Sequence, residues 1–293
     1  MARSPAHCTR AVLSAAAVLL VGERTVAAPI PSRWDVTVAV RLSDGTGVPI
    51  AVRLALPADT ATQQISAVAV TARGLDATVV RDGAEPYVSF TGKVKGARRI
   101  AATYSVHRAR ALATLPAVQP VTAPSADLLP YLAPTPIFQS RSILVRAFLE
   151  TNVSPLLGSA SNIDLMRAIY QATREHLAWD AAGKTLTLDV LRSGKGKRIG
   201  IERVFTTLLR AARIPARLVE GVNLNSATRR KRVFWTEVWA QDRWWPVSAS
   251  RGWIGREPKS YVAVTRDGQR VLTVEGPIQA SYAVEAVPAE APK

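Results

Sequence analysis

Between residues 193 and 221 the chain reads SGKGKRIGIERVFTTLLRAARIPARLVEG, with positive charge concentrated where a helix must begin. Lys195, Lys197 and Arg198 precede or open an apolar-periodic run. Three cations and the free N–H groups of a helix start could together hold a carboxylate or a phosphate. The same cations also read as solvated residues, mildly unfavourable beside the helix dipole, a cost that a ligand or Glu202 one turn on would offset. A second set lies in FWTEVWAQDRWWPVSAS: Trp235, Glu237, Trp244 and Ser248. Aromatic rings alternating across two strands pack a core or floor a groove for an extended peptide or a glycan, with Trp253 at its lip. Glu237 beside Ser248 suggests acid–base work, but a lone carboxylate without a partner of clear role fits hydrogen-bond duty better. The candidate ligand-binding residues are thus Lys195, Lys197, Arg198, Glu202, Trp235, Glu237 and Trp244.

These side chains need elements to hold them. Gly194 and Gly196 break the chain before a helix whose Ile201, Val204, Phe205, Leu208 and Leu209 form a continuous buried stripe. Strands follow over 217–223, 233–240 and 244–248, the last two joined by Gln241-Asp242-Arg243. Upstream, helices are expected over 137–150, 162–177 and 187–192; the second carries Ile163, Met166, Ile169, Tyr170 and Leu177 on one face, with Ser161 as its N-cap. Segments 261–265 and 271–275 add to the same sheet or close it as a hairpin. Helices first, then an antiparallel sheet, is an α+β order.

Earlier in the chain the period is two. Val36, Val38, Val40 and Leu42 alternate with polar residues, as do Ile50, Val52, Leu54 and Leu56 after the turn Asp44-Gly45-Thr46-Gly47, and strands are expected over 67–71, 77–81, 87–91 and 100–107. This predicts an antiparallel β-sandwich-like domain over 29–110. Residues 111–136 carry prolines at 116, 120, 124, 130, 134 and 136, which suits an extended linker. The second domain spans 137–287, and 288–293 form a disordered tail.

Residues 1–28 have a charged start, a short apolar run and a small-residue end at Thr25-Val26-Ala27, the pattern of a cleaved secretory signal; an uncleaved membrane anchor is the weaker alternative. Export to the periplasm or medium is therefore expected. The single cysteine, Cys8, would leave with the signal, so thiol, disulfide and cysteine–metal chemistry are not expected of the mature protein. A formal charge of +16 favours anionic partners, an acidic peptide or anionic polymer, with nucleic acid excluded by export. The basic run Arg229 to Arg232 is a solvated tip or a steering patch. His107 and His176 stand alone, and no zinc pattern, phosphate loop or Ser-His-Asp arrangement is present. No cofactor is expected.

The run TLDVLRSGKGKRIGIERVFTTLLRAARIPARLVEGV, followed by FWTEVWAQDRWWPVSAS, resembles the transglutaminase-like, papain-related domain. In that family a glycine-containing turn presents Cys at a helix head, a strand carries His two residues before Trp and four before Glu, and the next strand ends at Asp. A helix N-terminus lowers the thiol pKa, His completes the ion pair and Asp orients it. Carried over by spacing, those three positions fall on Arg198, Val233 and Ser248, while Trp235 and Glu237 are retained. The resemblance thus implies a triad-less, inactive domain on a papain/transglutaminase-like fold. Together with VRLALP and YLAPTPIFQS, it extends to the exported portion of bacterial inactive transglutaminases fused to seven transmembrane helices; this chain ends where that membrane bundle would begin. That family implies a membrane-protein partner or a component of an ATP-grasp glutamate-ligase pathway. The expected function is a non-catalytic, exported pseudo-transglutaminase binding module; an amidase or peptidase-like hydrolase with changed catalytic residues is the alternative.

Overall fold

The computed structural model describes residues 33–60, 62–81, 85–108, 125–157, 162–225, 232–240, 242–256 and 258–289. The signal, most of the proline-rich segment, Ser161 and Arg229 to Lys231 lie outside them. In chain order the elements are β1 (Arg33–Ala55), β2 (Gln63–Thr71), β3 (Asp76–Val80), β4 (Tyr87–Arg108), α1 (Ile143–Val153), α2 (Asn162–His176), β5 (Ala178–Lys184), α3 (Thr187–Ser193), β6 (Lys195–Gly196), α4 (Arg198–Ala211), β7 (Ala216–Asn223), β8 (Arg232–Ala240), β9 (Arg243–Ser248), β10 (Trp253–Ile254), β11 (Tyr261–Arg266), β12 (Leu272–Glu275) and β13 (Gln279–Pro288).

The N-terminal sheet is one sheet bent over on itself. The segments expected as separate strands, 36–42 and 50–56, and 87–91 and 100–107, are the single long strands β1 and β4, antiparallel to each other, with register irregularities at Leu42/Gly45 and Thr46/Pro49. Asp44 and Gly47 have positive φ (62° and 83°), so the Asp-Gly-Thr-Gly stretch makes bulges within a strand instead of a hairpin turn. On either side of the bend the even-numbered residues face inward, so Val36, Val40, Val52 and Leu54 share one core.

β12 and β13 pair with β1, not with the C-terminal sheet. Pro288 is the partner of Trp34, and Ala289 N–H donates to Arg33 O at 3.0 Å. The expected single unit 137–287 therefore gives its last strands to the N-terminal sheet, and the tail is anchored at least to Ala289. The end of the proline-rich segment is not extended either: Ala126–Tyr131 is a 3-10 helix that buries Leu128. The first long helix begins at Ile143, six residues later than its apolar pattern suggests: 135–142 make tight turns in which Thr135 N–H donates to Phe138 O at 3.0 Å and Ser142 N–H to Gln139 O at 2.9 Å, and Phe138 is buried.

The C-terminal sheet runs β10-β9-β8-β7-β11. Alternation divides β8 between two faces: Thr236, Val238 and Ala240 meet the helices, whereas Glu237 and Trp239 face away from them. α4 lies on the helical side with Ile201, Val204, Phe205, Leu208 and Leu209 no more than 2% exposed; each such burial contributes roughly 1.5–3 kcal/mol. Val222, Leu224, Val262 and Val264 join the core of the bent sheet, so the two sheets pack on each other. No described helix is long and apolar enough to cross a membrane.

Candidate functional site at the head of the central helix

Glycines bring the head of α4 into close contact with its neighbours. Gly194 ends α3 in the left-handed region (φ 63°), and a Cβ on Gly200 would lie 2.6 Å from Lys184 O. The short parallel pairing of Trp179 with Gly196 sets the Trp179 ring beside the first turn of the helix. Arg198, the first residue of α4, places its guanidinium 4.8 Å from that ring's centroid and donates from Nη1 to Ser250 O at 2.6 Å. The position the resemblance assigns to a nucleophile is thus filled by a stacked, hydrogen-bonded cation.

One turn further in, Glu202 is fully buried. Its Oε1 accepts from Ser248 Oγ at 2.6 Å and from Ser250 N–H at 2.9 Å, and its Oε2 accepts from Thr236 Oγ1 at 3.0 Å. Burial raises the pKa of this carboxyl, and the bonds from Ser248, Ser250 and Thr236 oppose the shift without reversing it. Glu202 neither touches a surface nor forms an ion pair with Arg198. It holds the turn after β9 in place.

That turn, residues 249–252, carries the part of the site that the sequence reading missed. Arg174 Nη1 donates to Ala249 O at 3.3 Å, and Gly252 (φ 80°) allows the turn to close against the Arg174 guanidinium, which a Cβ would meet at 2.4 Å. The turn delivers Arg251 over the Tyr261 ring, 5.4 Å from its centroid, and into the surroundings of Arg198. Burial, and next the Arg251 charge, pull the pKa of Arg198 below its ordinary value. Among the described residues no carboxylate is within ion-pair distance of either guanidinium, and Arg251 Nε and Trp253 Nε1 are buried without a hydrogen-bond partner. Buried donors of this kind are costly when unanswered. Lys195 and Lys197 remain exposed at the entrance.

Arg198 and Ser248, two of the three positions carried over from the resemblance, are joined through Glu202 and Ser250. The third, Val233, is 4% exposed in an apolar cluster with Val219, Trp235, Tyr261 and Ala263, against which Trp253 packs. Trp235 is fully buried, its ring so close to Gly221 that a Cβ there would stand 2.6 Å away; it belongs to the core and offers no ligand surface.

Glu237 and Trp244 are on the opposite side of the sheet. There a cleft of about 1270 Å³ opens beside the packed faces of the two sheets, lined by residues of both the C-terminal sheet and the bent one. Glu237 Oε2 accepts from Arg217 Nε at 2.7 Å. The Arg217 guanidinium lies 4.0 Å from the Trp244 ring centroid, and Trp244 meets Tyr131 and Trp239 edge-on at 4.7 and 5.2 Å. The seven residues expected to form one site therefore divide into Lys195, Lys197 and Arg198 at the helix head, Glu202 and Trp235 in the interior, and Glu237 and Trp244 in the cleft. Among the described residues no group of three or more His, Cys, Asp or Glu side chains is placed to hold a metal ion.

This arrangement, helices on an antiparallel sheet with a glycine-rich entry to the central helix, is the transglutaminase-like, papain-like α+β fold, preceded by a β-rich region. Residues 153–249 match the model of the transglutaminase-like superfamily. Among solved structures, a candidate cysteine protease from Cytophaga hutchinsonii is 15% identical with a TM-score of 0.66, over 90% of this chain and 93% of that one. The periplasmic domain of TgpA from Pseudomonas aeruginosa, bound to ethylmercury, is 16% identical with a TM-score of 0.34, over 73% of this chain and 89% of that one. A structure described as a TGase is 13% identical with a TM-score of 0.31, over 62% and 46%. No protein of curated description matches the chain.

Proposed function

We propose that this protein is a non-catalytic, exported binding module built on a transglutaminase-like domain, and that the head of α4 holds the carboxylates of an acidic peptide or peptide-like polymer. The observation that carries the reading is the pair Arg198 and Arg251: two partly buried guanidiniums near enough for the charge of Arg251 to act on Arg198, with no carboxylate in ion-pair contact with either among the described residues. Guanidinium forks suit carboxylates in a bidentate manner, and the N–H groups of the first turn of α4 add to the field. Lys195 and Lys197 would steer such a ligand inward. A membrane protein or a glutamate-ligase pathway component would be the supplier or recipient of the ligand.

Against thiol catalysis stand Arg198, Val233 and Ser248, which occupy the positions that the resemblance assigns to Cys, His and Asp, and the placement of the single cysteine, Cys8, in the expected signal. The alternative, an amidase or peptidase-like hydrolase with changed residues, would draw on Ser248 with Glu202 or Glu237; Ser248 and Glu202 are sealed from solvent, and Glu237 faces the cleft on the other side of the sheet. Calorimetric titration with octaglutamate tests the proposal. Arg198→Glu and Arg251→Glu are each expected to weaken binding at least about tenfold, the loss of a charge-assisted bond. Unchanged affinity in both variants removes the anion site, and peptide or amide turnover that disappears in Ser248→Ala establishes the hydrolase instead.

A further inference from the structure

We propose a second binding site: the cleft lined by the two sheets takes an uncharged, hydroxyl-rich ligand of the pyranose oligosaccharide class. The cleft is distinct from the head of α4, since the odd-numbered residues Glu237 and Trp239 of β8 face it while Thr236 of the same strand is bonded to α4 through Thr206 at 3.0 Å.

Three features of its lining select the ligand. The first is charge balance: the lining carries six arginines and six carboxylates, so it has no bias toward an anion, in contrast to the basic helix head. Donors and acceptors interleaved in this way suit hydroxyl groups, each of which donates and accepts. The second is the aromatic wall of Tyr131, Trp239 and Trp244, all partly exposed and held edge-on, Trp244 at 75° to Tyr131 and 67° to Trp239. Flat indole faces accept the C–H faces of a sugar ring, while Arg217, stacked on Trp244 and bonded to Glu237, offers planar hydrogen bonding at the ring's rim. The third is unmet hydrogen bonding on the same lining: Thr265 Oγ1, on a residue 3% exposed, has no hydrogen-bond partner among the described residues, and Arg266 Nε beside it makes only a long ion pair, 3.7 Å, with Glu237 Oε2. Buried donors left without partners mark where a ligand's oxygens belong. The volume of about 1270 Å³ accommodates several sugar rings and exceeds the usual range for a single small molecule.

Titration of intrinsic tryptophan emission with cellotetraose, maltotetraose, mannotetraose and tetra-N-acetylchitotetraose tests this, with octaglutamate as the acidic comparison. At least one of the sugars is expected to bind saturably, with affinity changed less than about twofold by 0.5 M NaCl, because no charge pairing is involved. Trp244→Ala should weaken that binding at least about tenfold, with circular dichroism confirming the fold. Should Trp244→Ala fail to fold, Trp239→Ala and Thr265→Val carry the same expectation, the latter removing only the unpartnered hydroxyl. The proposal is overturned if none of the four sugars binds, or if sugar binding survives all the folded variants. It is equally overturned if octaglutamate alone binds and is lost with Trp239→Ala in a salt-sensitive manner, which assigns the cleft to acidic peptides.

Discussion

Ser248 donates its hydroxyl to Glu202 Oε1 across 2.6 Å, with both side chains sealed from solvent. A hydroxyl committed in this way acts as a brace between the end of β9 and the helix, and the carboxyl it braces is held above its ordinary pKa by burial. In the window between the ordinary carboxylate pKa and the raised one, the folded state keeps a proton that the unfolded state has released. The contribution of Glu202 to stability is therefore greatest below that window and declines as pH rises through it. Glu202→Gln does not titrate, and its amide can accept from Ser248 and Ser250 while donating to Thr236. Urea denaturation from about pH 4 to 8 should show the variant gaining on the wild type as pH rises. Parallel profiles would mean that Glu202 does not titrate in this range.

Reinstating a family carboxylate has a predictable cost. Ser248→Asp would set a second carboxylate against Glu202 in a buried site, and roughly 2–4 kcal/mol of stability should be lost. Adding Glu202→Gln removes the repulsion. A double-mutant cycle should therefore show a coupling of about 1–3 kcal/mol in the restoring direction; additive effects would contradict the geometry.

Arg210, at the other end of α4, is 2% exposed and reaches three segments: Ala216 O at 2.9 Å, Asp267 Oδ1 at 2.9 Å and Ala133 O at 3.4 Å. The same Asp267 oxygen accepts from Leu218 N–H at 3.0 Å. Arg210→Ala should cost roughly 3–5 kcal/mol, since Asp267 loses its cation in a largely buried site. Arg210→Lys should recover only part of this, because an ammonium lacks the planar fork. Thermal denaturation of the two variants checks both statements.

Gly221 lies where the Trp235 ring crosses β7. A Cβ there would be 2.3 Å from Val262 O and 2.6 Å from the ring. Gly221→Ala should destabilise by about 1–3 kcal/mol and alter near-ultraviolet dichroism as Trp235 shifts. Retention of both the spectrum and the midpoint would show that the ring has room to move.

Local pattern made part of this architecture legible. The stripe on α4, the face of α2, and strands β7 to β9 follow from apolar spacing and Gly/Pro punctuation, as does the placement of Arg198 at a helix head. Long-range pairing was not legible. Nothing in Leu272–Glu275 says which sheet it joins, and an Asp-Gly-Thr-Gly stretch reads as a turn until its partner strand is known to bend with it at Gly92 and Gly96. The site divided for the same reason: residues two apart on β8 share a face and neighbours do not, but which face meets α4 depends on packing. Arg251 went unnoticed because only the tertiary position of Gly252, against Arg174, turns it toward Arg198.

The return of β13 to pair with Trp34 through Ser43 also governs the order in which the protein can be completed. During synthesis the bent sheet lacks a member until residue 288 has emerged, so the first strands made must wait, partly uncovered, for the last ones. The chain therefore cannot mature from its beginning toward its end, and its N-terminal half reaches its final packing only together with the C-terminal half.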